Sequence, residues 1–160
     1  MIKKILVSQP APATDKSPYH DIAQNLGVEF TFQPFVKVEG LEAREFRSQK
    51  VNILDHTAIV FNSRNAIEHF FHLCKELRVT LPEDMKYFGI SEKVILYIQK
   101  FVQYRKRKVF FGTSGHWPEL LTVMAKHKTE KYLFPLSEGT SLEIAGQLDQ
   151  KKIKHTECAM

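Results

Sequence analysis

The 160-residue chain is predicted to be an α/β protein built on a parallel sheet. Two observations carry that prediction. Short apolar segments recur at the spacing of repeated strand–helix units, and the middle ones are nearly continuous hydrophobic runs, as strands covered on both faces require. The segments between them carry one-sided apolar stripes at helical spacing.

The elements follow in order. Lys4-Ile5-Leu6-Val7-Ser8 reads as a first strand, followed by a polar turn rich in Pro and Ala. Ser17-Pro18 opens a helix that runs through Leu26, with proline at the favoured first turn, and Gly27 ends it. Val28 to Phe32 form a second strand. A short extended piece, Phe35 to Val38, and a polar helix from about Leu41 to Lys50 come next. Five further strands are predicted at residues 57–61, 86–89, 109–111, 131–134 and 153–157; the last is more polar and belongs at an edge.

The intervening helices bring Ala66, Ile67, Phe70, Phe71, Cys74 and Leu77 onto one face, and Val94, Ile95, Ile98, Phe101 and Val102 onto another. Leu120, Leu121 and Met124 serve the third helix, and Leu142, Ala145 and Leu148 the fourth. The pattern predicts a flavodoxin-like, doubly wound five-stranded parallel sheet with right-handed crossovers. Before Pro34 stands a single strand–helix–strand unit that cannot bury its own faces. It is either appended to this sheet or a fragment of a second domain.

Composition narrows the function. A hydrophobic fraction of 43% is close to the globular norm, and no low-complexity tract or repeat interrupts the chain, so disorder is not expected. The apolar runs are too short to span a membrane. The run after Lys3-Lys4 is too short for a signal-peptide core, and a cytoplasmic location is expected. Cys74 and Cys158 lie in no motif and read as free buried thiols in a reducing compartment. The net charge of +5 fits either nucleic acid or an acidic small molecule. Its densest run, Arg105-Lys106-Arg107-Lys108, directly precedes a strand and so lies at the opposite end of the sheet from any ligand rim. Without an aromatic platform or a known module beside it, it reads as a solvated loop, and no nucleic-acid partner is expected.

In a sheet of this class ligands bind beyond the carboxyl ends of the strands. Four turns occupy that rim: Asn62 to Asn65, Ile90 to Glu92, Gly112 to Gly115, and Leu136 to Ser141. Each is expected to place hydroxyls and free amides at a helix N-terminus, a seat for carboxylate or phosphate, with Asn62, Ser63, Arg64, Ser91, Thr113 and Ser137 as the binding candidates. Helix capping alone explains the same residue types at any single turn. Arg64 opposes the helix dipole in a first turn, which an anionic partner would explain, as would a solvated arginine. His69 and His72 stand one helical turn apart beside Glu68 and Glu76, without a third ligand, so no metal is expected. Trp117 and Pro118 begin a helix and are expected to pack as core or cap. No nucleophile elbow, phosphate-binding loop or dinucleotide fingerprint is present, and no cofactor is expected.

Ile5-Leu6-Val7-Ser8-Gln9-Pro10 resembles the N-terminal strand and turn of uroporphyrinogen-III synthases. The segment Asp55 to Ile67, the strand Tyr87-Phe88-Gly89-Ile90, and the strand–turn–helix from Lys131 to Leu142 resemble later motifs of that family in the same order. The resemblance implies two similar α/β domains joined by a two-stranded ladder. Residues 1–34 would open the first domain, 35–157 would form the complete second, and 158–160 would begin the return crossing. It also implies an incomplete chain that is inactive, or self-associating, on its own.

The implied reaction is that of a cofactor-free lyase of haem and tetrapyrrole biosynthesis. Linear hydroxymethylbilane is cyclised to uroporphyrinogen III with inversion of the last pyrrole ring and loss of water. By motif matching, Ser63 would bind a substrate carboxylate through its hydroxyl and amide, and Asn62, Arg64, Ser91 and Ser137 would line the same cleft wall. The chain departs from the family pattern at Gln9, where arginine is usual, at Asn62, where threonine is, and at Ser91 and Ser137, where glycine is common. Val94 stands where threonine often does. From the residues alone a non-catalytic module that binds an anion or a partner stays open. A phosphoacceptor receiver is weaker, since no strand end supplies its acidic pair.

Overall fold

The computed structural model describes residues 2–14 and 16–160. The chain divides into two compact units, one up to Glu39 and one spanning Gly40–Met160.

The first unit is the expected strand–helix–strand: β1 (Lys4–Val7), α1 (Pro18–Leu26) and β2 (Glu29–Phe32). The strands pair in parallel, Lys4 with Glu29 through Val7 with Phe32. Ser17 caps α1 by accepting from the Tyr19 amide at 3.4 Å. Gly27 ends it at φ 60°, a left-handed turn that glycine adopts without a Cβ penalty. Tyr19 packs edge-on against Phe30 and Phe32, ring centroids 5.2 and 5.1 Å away, yet no residue of α1 is buried. Two strands and one helix are too few to enclose a core. The piece from Phe35 to Val38 forms no strand.

The second unit holds α2 (Ala43–Ser48), β3 (Ala58–Phe61), α3 (Arg64–Glu76), β4 (Lys86–Gly89), α4 (Glu92–Ile95), β5 (Val109–Phe111), α5 (Trp117–Met124), β6 (Tyr132–Leu136), α6 (Ala145–Gln150) and β7 (His155–Ala159). Strands β3 to β7 form one sheet in the order β5-β4-β3-β6-β7, all parallel. The doubly wound five-stranded sheet is therefore present, with β7 at an edge as its polarity predicts. Its third strand lies beyond the second, whereas flavodoxin itself places the third beside the first. The order reverses between β3 and β6.

Alternation along β3 divides the core between the two faces. Ile59 and Phe61 join Ile67, Phe70 and Leu73 of α3 and Ile95 of α4. Ala58 and Val60 join Leu120, Leu121 and Met124 of α5 and Leu148 of α6. Trp117 packs 6.3 Å from the Phe134 ring and belongs to this second core, as expected. Cys74 and Cys158 are buried and unpaired.

Two elements differ from expectation. The helix after β4 keeps α geometry for four residues only, then tightens into a 3-10 turn over Leu96–Lys100. Gly89 is the reason the approach is so close: a Cβ there would fall 2.4 Å from Ile95 Cβ. Strand β7 runs on to Ala159, two residues beyond the expected end. There the Gln49 side chain donates to Ala159 O at 3.0 Å and accepts from its amide at 2.8 Å. That amide–backbone pair blocks part of the open edge against further strand addition.

Candidate functional site

Register decides what the rim looks like. Phe61 pairs with Gly89, and Gly89 with Phe111. The β3–β6 register, Ile59 with Leu133, brings Pro135 level with Phe61 when continued. Two residues beyond that common level stand Thr113, Ser91, Ser63 and Ser137. Four hydroxyl-bearing residues, one from each of four adjacent strands, thus form one row along the carboxyl edge. At about 4.8 Å per strand the row is roughly 14 Å long.

Within the row the four positions differ. Ser63 is the N-cap of α3, its hydroxyl accepting from the Ala66 amide at 3.1 Å. That leaves the Arg64 and Asn65 amides without an intrahelical partner, and the capping hydroxyl keeps its own proton to donate. Asn62 and Arg64 beside it are exposed. The Arg64 guanidinium turns toward the next element, 3.5 Å from Lys93 O and 5.8 Å from the centre of the Tyr97 ring. Ser91 repeats the geometry at α4, with backbone angles of −151° and 162° against −151° and 161° at Ser63. Its hydroxyl accepts from the Val94 amide at 3.4 Å.

At the other two turns the expectation of a free helix N-terminus fails. The Thr113 and Ser114 amides and the Thr113 hydroxyl all donate to Glu119, at 2.8, 2.7 and 2.6 Å. A carboxylate does sit on the Gly112–Gly115 turn, and it is the chain's own. The Thr113 hydroxyl first, then the Ser114 amide, hold Glu119 down at a pKa of about 2. Glu119 is the third residue of α5, the position from which an acid reaches back over the preceding turn. That spacing was legible in the sequence and is the signal that reasoning from hydroxyls alone missed.

Ser137 lies at no helix start. Helix α6 begins only at Ala145, and residues 137–140 close as a turn in which the Thr140 amide donates to Ser137 O at 3.1 Å. The loop is tied back by Glu157 of β7, which accepts from the Leu142 amide at 3.1 Å.

Three cavities stand out, of about 490, 310 and 720 Å³, and none is lined by Asn62, Ser63, Arg64, Ser91, Thr113 or Ser137. The row is an open edge of the second unit and borders none of these hollows. Among the described residues no cluster of three or more His, Cys, Asp or Glu could hold a metal ion. His72 instead sits 3.6 Å from Glu76. No helix among the described residues is long and apolar enough to cross a membrane.

Comparisons with known proteins place this geometry. The chain's fold is similar to the crystal structure of a mutant uroporphyrinogen III synthase from the extremely thermophilic bacterium Thermus thermophilus, with a TM-score of 0.62 and 13% sequence identity. The likeness covers 100% of this chain and 61% of that one, so the chain spans less than two thirds of the solved protein's length. None of the curated proteins compared with the chain matches it. The family model described as uroporphyrinogen-III synthase matches residues 17–160, and on that match the chain belongs to the uroporphyrinogen-III synthase family.

Proposed function

We propose that this chain acts as a uroporphyrinogen-III synthase, a lyase that cyclises hydroxymethylbilane to uroporphyrinogen III with inversion of the last ring and loss of water. The observation that carries the reading is the row of Ser91, Ser63 and Ser137 at one level of the carboxyl rim. Its paired N-caps and unpartnered amides suit a substrate rich in carboxylates. Asn62 and Arg64 stand at the end of the same strand and serve the same acidic groups. Thr113 takes no part in this reading, because its amide and hydroxyl already hold Glu119. The protein's contribution to rate is positioning: fixing the folded chain of pyrroles so that the terminal carbon meets the last ring as its hydroxyl departs. The two buried, unpaired thiols suit a reducing, cytoplasmic setting. On the family's plan, residues 1–34 open one α/β domain, 35–157 form the other and 158–160 begin the return crossing; the division of the chain into compact units after Glu39 is compatible with that plan.

One observation favours a second reading, a non-catalytic module that holds an acidic ligand: the row borders none of the three cavities. Incubation of the purified protein with hydroxymethylbilane separates the two. Type III product in excess of the spontaneous type I isomer supports the enzyme. Type I product alone, with porphyrin carboxylates still bound, supports the module.

A further inference from the structure

The basic run Arg105-Lys106-Arg107-Lys108 finds no use on the carboxyl rim, because it sits at the other end of the sheet. It forms the turn Lys106–Lys108 that feeds directly into β5. Arg105 and Lys108 border the 490 Å³ cavity, which opens at the amino ends of β4 and β5. At about 3.3 Å per residue, the parallel strands carry that end roughly 15 Å away from the serine row.

The walls of this cavity are mostly apolar, with Thr80 and Gln103 as uncharged polar exceptions. Phe71 and Phe101 stack within it, centroids 4.7 Å apart and planes 4° from parallel, and Phe101 keeps 38% of its surface exposed. Met85 and Tyr87 close the strand side, Cys74 of α3 contributes a neutral thiol, and Val102 adds a further apolar side chain. Burial holds the Cys74 thiol up at a pKa of about 12, so it brings no charge. The charges are all at the rim: Lys75, Arg105 and Lys108 against a single acid, Glu83, which Arg105 meets at 3.5 Å. Three cations over one carboxylate leave a positive excess above an aromatic slot of the size that small ligands fill.

We infer that this cavity is a second, separate binding site, for a small aromatic monocarboxylate whose ring enters beside Phe71 and Phe101 and whose acidic group meets Arg105 and Lys108. Neutral aromatics satisfy the slot but not the rim, and inorganic anions satisfy the rim but not the slot. The amphiphile alone satisfies both.

The side chains provide the readout. The protein carries four methionines. Of these, Met85 lines the cavity, whereas Met124 lies in the core on the opposite face of the sheet. Protein labelled with 13C at the methionine methyls is titrated with 2-naphthoate and, separately, with 2-naphthamide. The Met85 methyl resonance shifts and saturates with 2-naphthoate while Met124 stays in place, and the neutral amide binds at least about fivefold more weakly. The double variant R105Q/K108Q weakens 2-naphthoate by a similar factor and leaves the amide unchanged. A Met85 signal that never moves, equal affinity for acid and amide, or a shift at Met124 instead overturns the assignment. The acid–amide comparison in the unaltered protein decides the matter even if the variant fails to fold.

Discussion

Ser63 is the residue on which cap and ligand functions converge, and the two are separable by substitution. Ser63→Ala removes the acceptor of the Ala66 amide and is expected to cost about 1 kcal/mol in chemical denaturation, as lost N-caps do. Ser63→Asp keeps a capping oxygen and the stability that goes with it, but sets a negative charge where a carboxylate must dock. The prediction is near-normal denaturation for Ser63→Asp with weakened binding of uroporphyrin III. Unchanged binding would remove Ser63 from the site.

Glu119 gives a pH-dependent prediction. Its carboxyl is held at about 2 against an ordinary 4.5, so the folded state binds its proton less readily than the unfolded state. The stability it contributes is therefore present above about pH 4.5 and is lost as pH falls toward 2. Denaturation midpoints of wild type and Glu119→Gln should differ at pH 7 and converge in that acid window. A constant gap would show that Glu119 acts through packing rather than charge. The sequence displayed Ser63, Ser91 and Thr113 as candidates, but not which amides were already taken. Occupancy of an amide depends on three-dimensional reach, and only the position of Glu119 in the first turn of its helix hinted at it.

At the scale of elements, β4 and α4 meet through Gly89. Gly89→Ala would press a methyl group to 2.4 Å from Ile95 Cβ, against a helix fixed by its Ser91 cap. The expected loss is about 1–3 kcal/mol, the range for overpacking a filled core, measurable as a lower urea midpoint. No loss would mean that α4 moves away freely. Strand positions were legible because near-continuous apolar runs such as Ala58–Phe61 have no other economical placement. The truncation of α4 was not legible. Val94, Ile95 and Ile98 satisfy a helical stripe whether the backbone continues as α or tightens, and the cause is an approach to another element. Strand order was hidden for the same reason: periodicity reports which faces are covered and says nothing about which strands are neighbours. The loop after β6 misled because Ser137 sits where a cap would stand, but α6 starts eight residues later.

For the molecule as a whole, apolar side chains in the first unit remain uncovered. Leu26, Phe35 and Val36 keep 68%, 66% and 79% of their surface exposed. Exposed apolar surface of this kind favours association. Sedimentation should show concentration-dependent dimers or larger species, reduced in a Leu26→Gln/Val36→Ser variant. A strict monomer at high concentration would contradict that. Family membership was legible from short motifs in order along the chain, each weak alone, because together they follow the alternation of strands and turns that builds the rim.

The central claim is that acidic groups are received where helices begin on the carboxyl edge of the five-stranded sheet. The most direct measurement is a titration of the 15N-labelled protein with uroporphyrin III, following backbone amides. The account predicts that the amides of Arg64, Asn65, Glu92 and Lys93 and those of the Ser137 turn shift together with one midpoint, while Thr113 and Ser114, engaged by Glu119, stay in place. Shifts confined to the Arg105–Lys108 turn, or none on the rim, would contradict it.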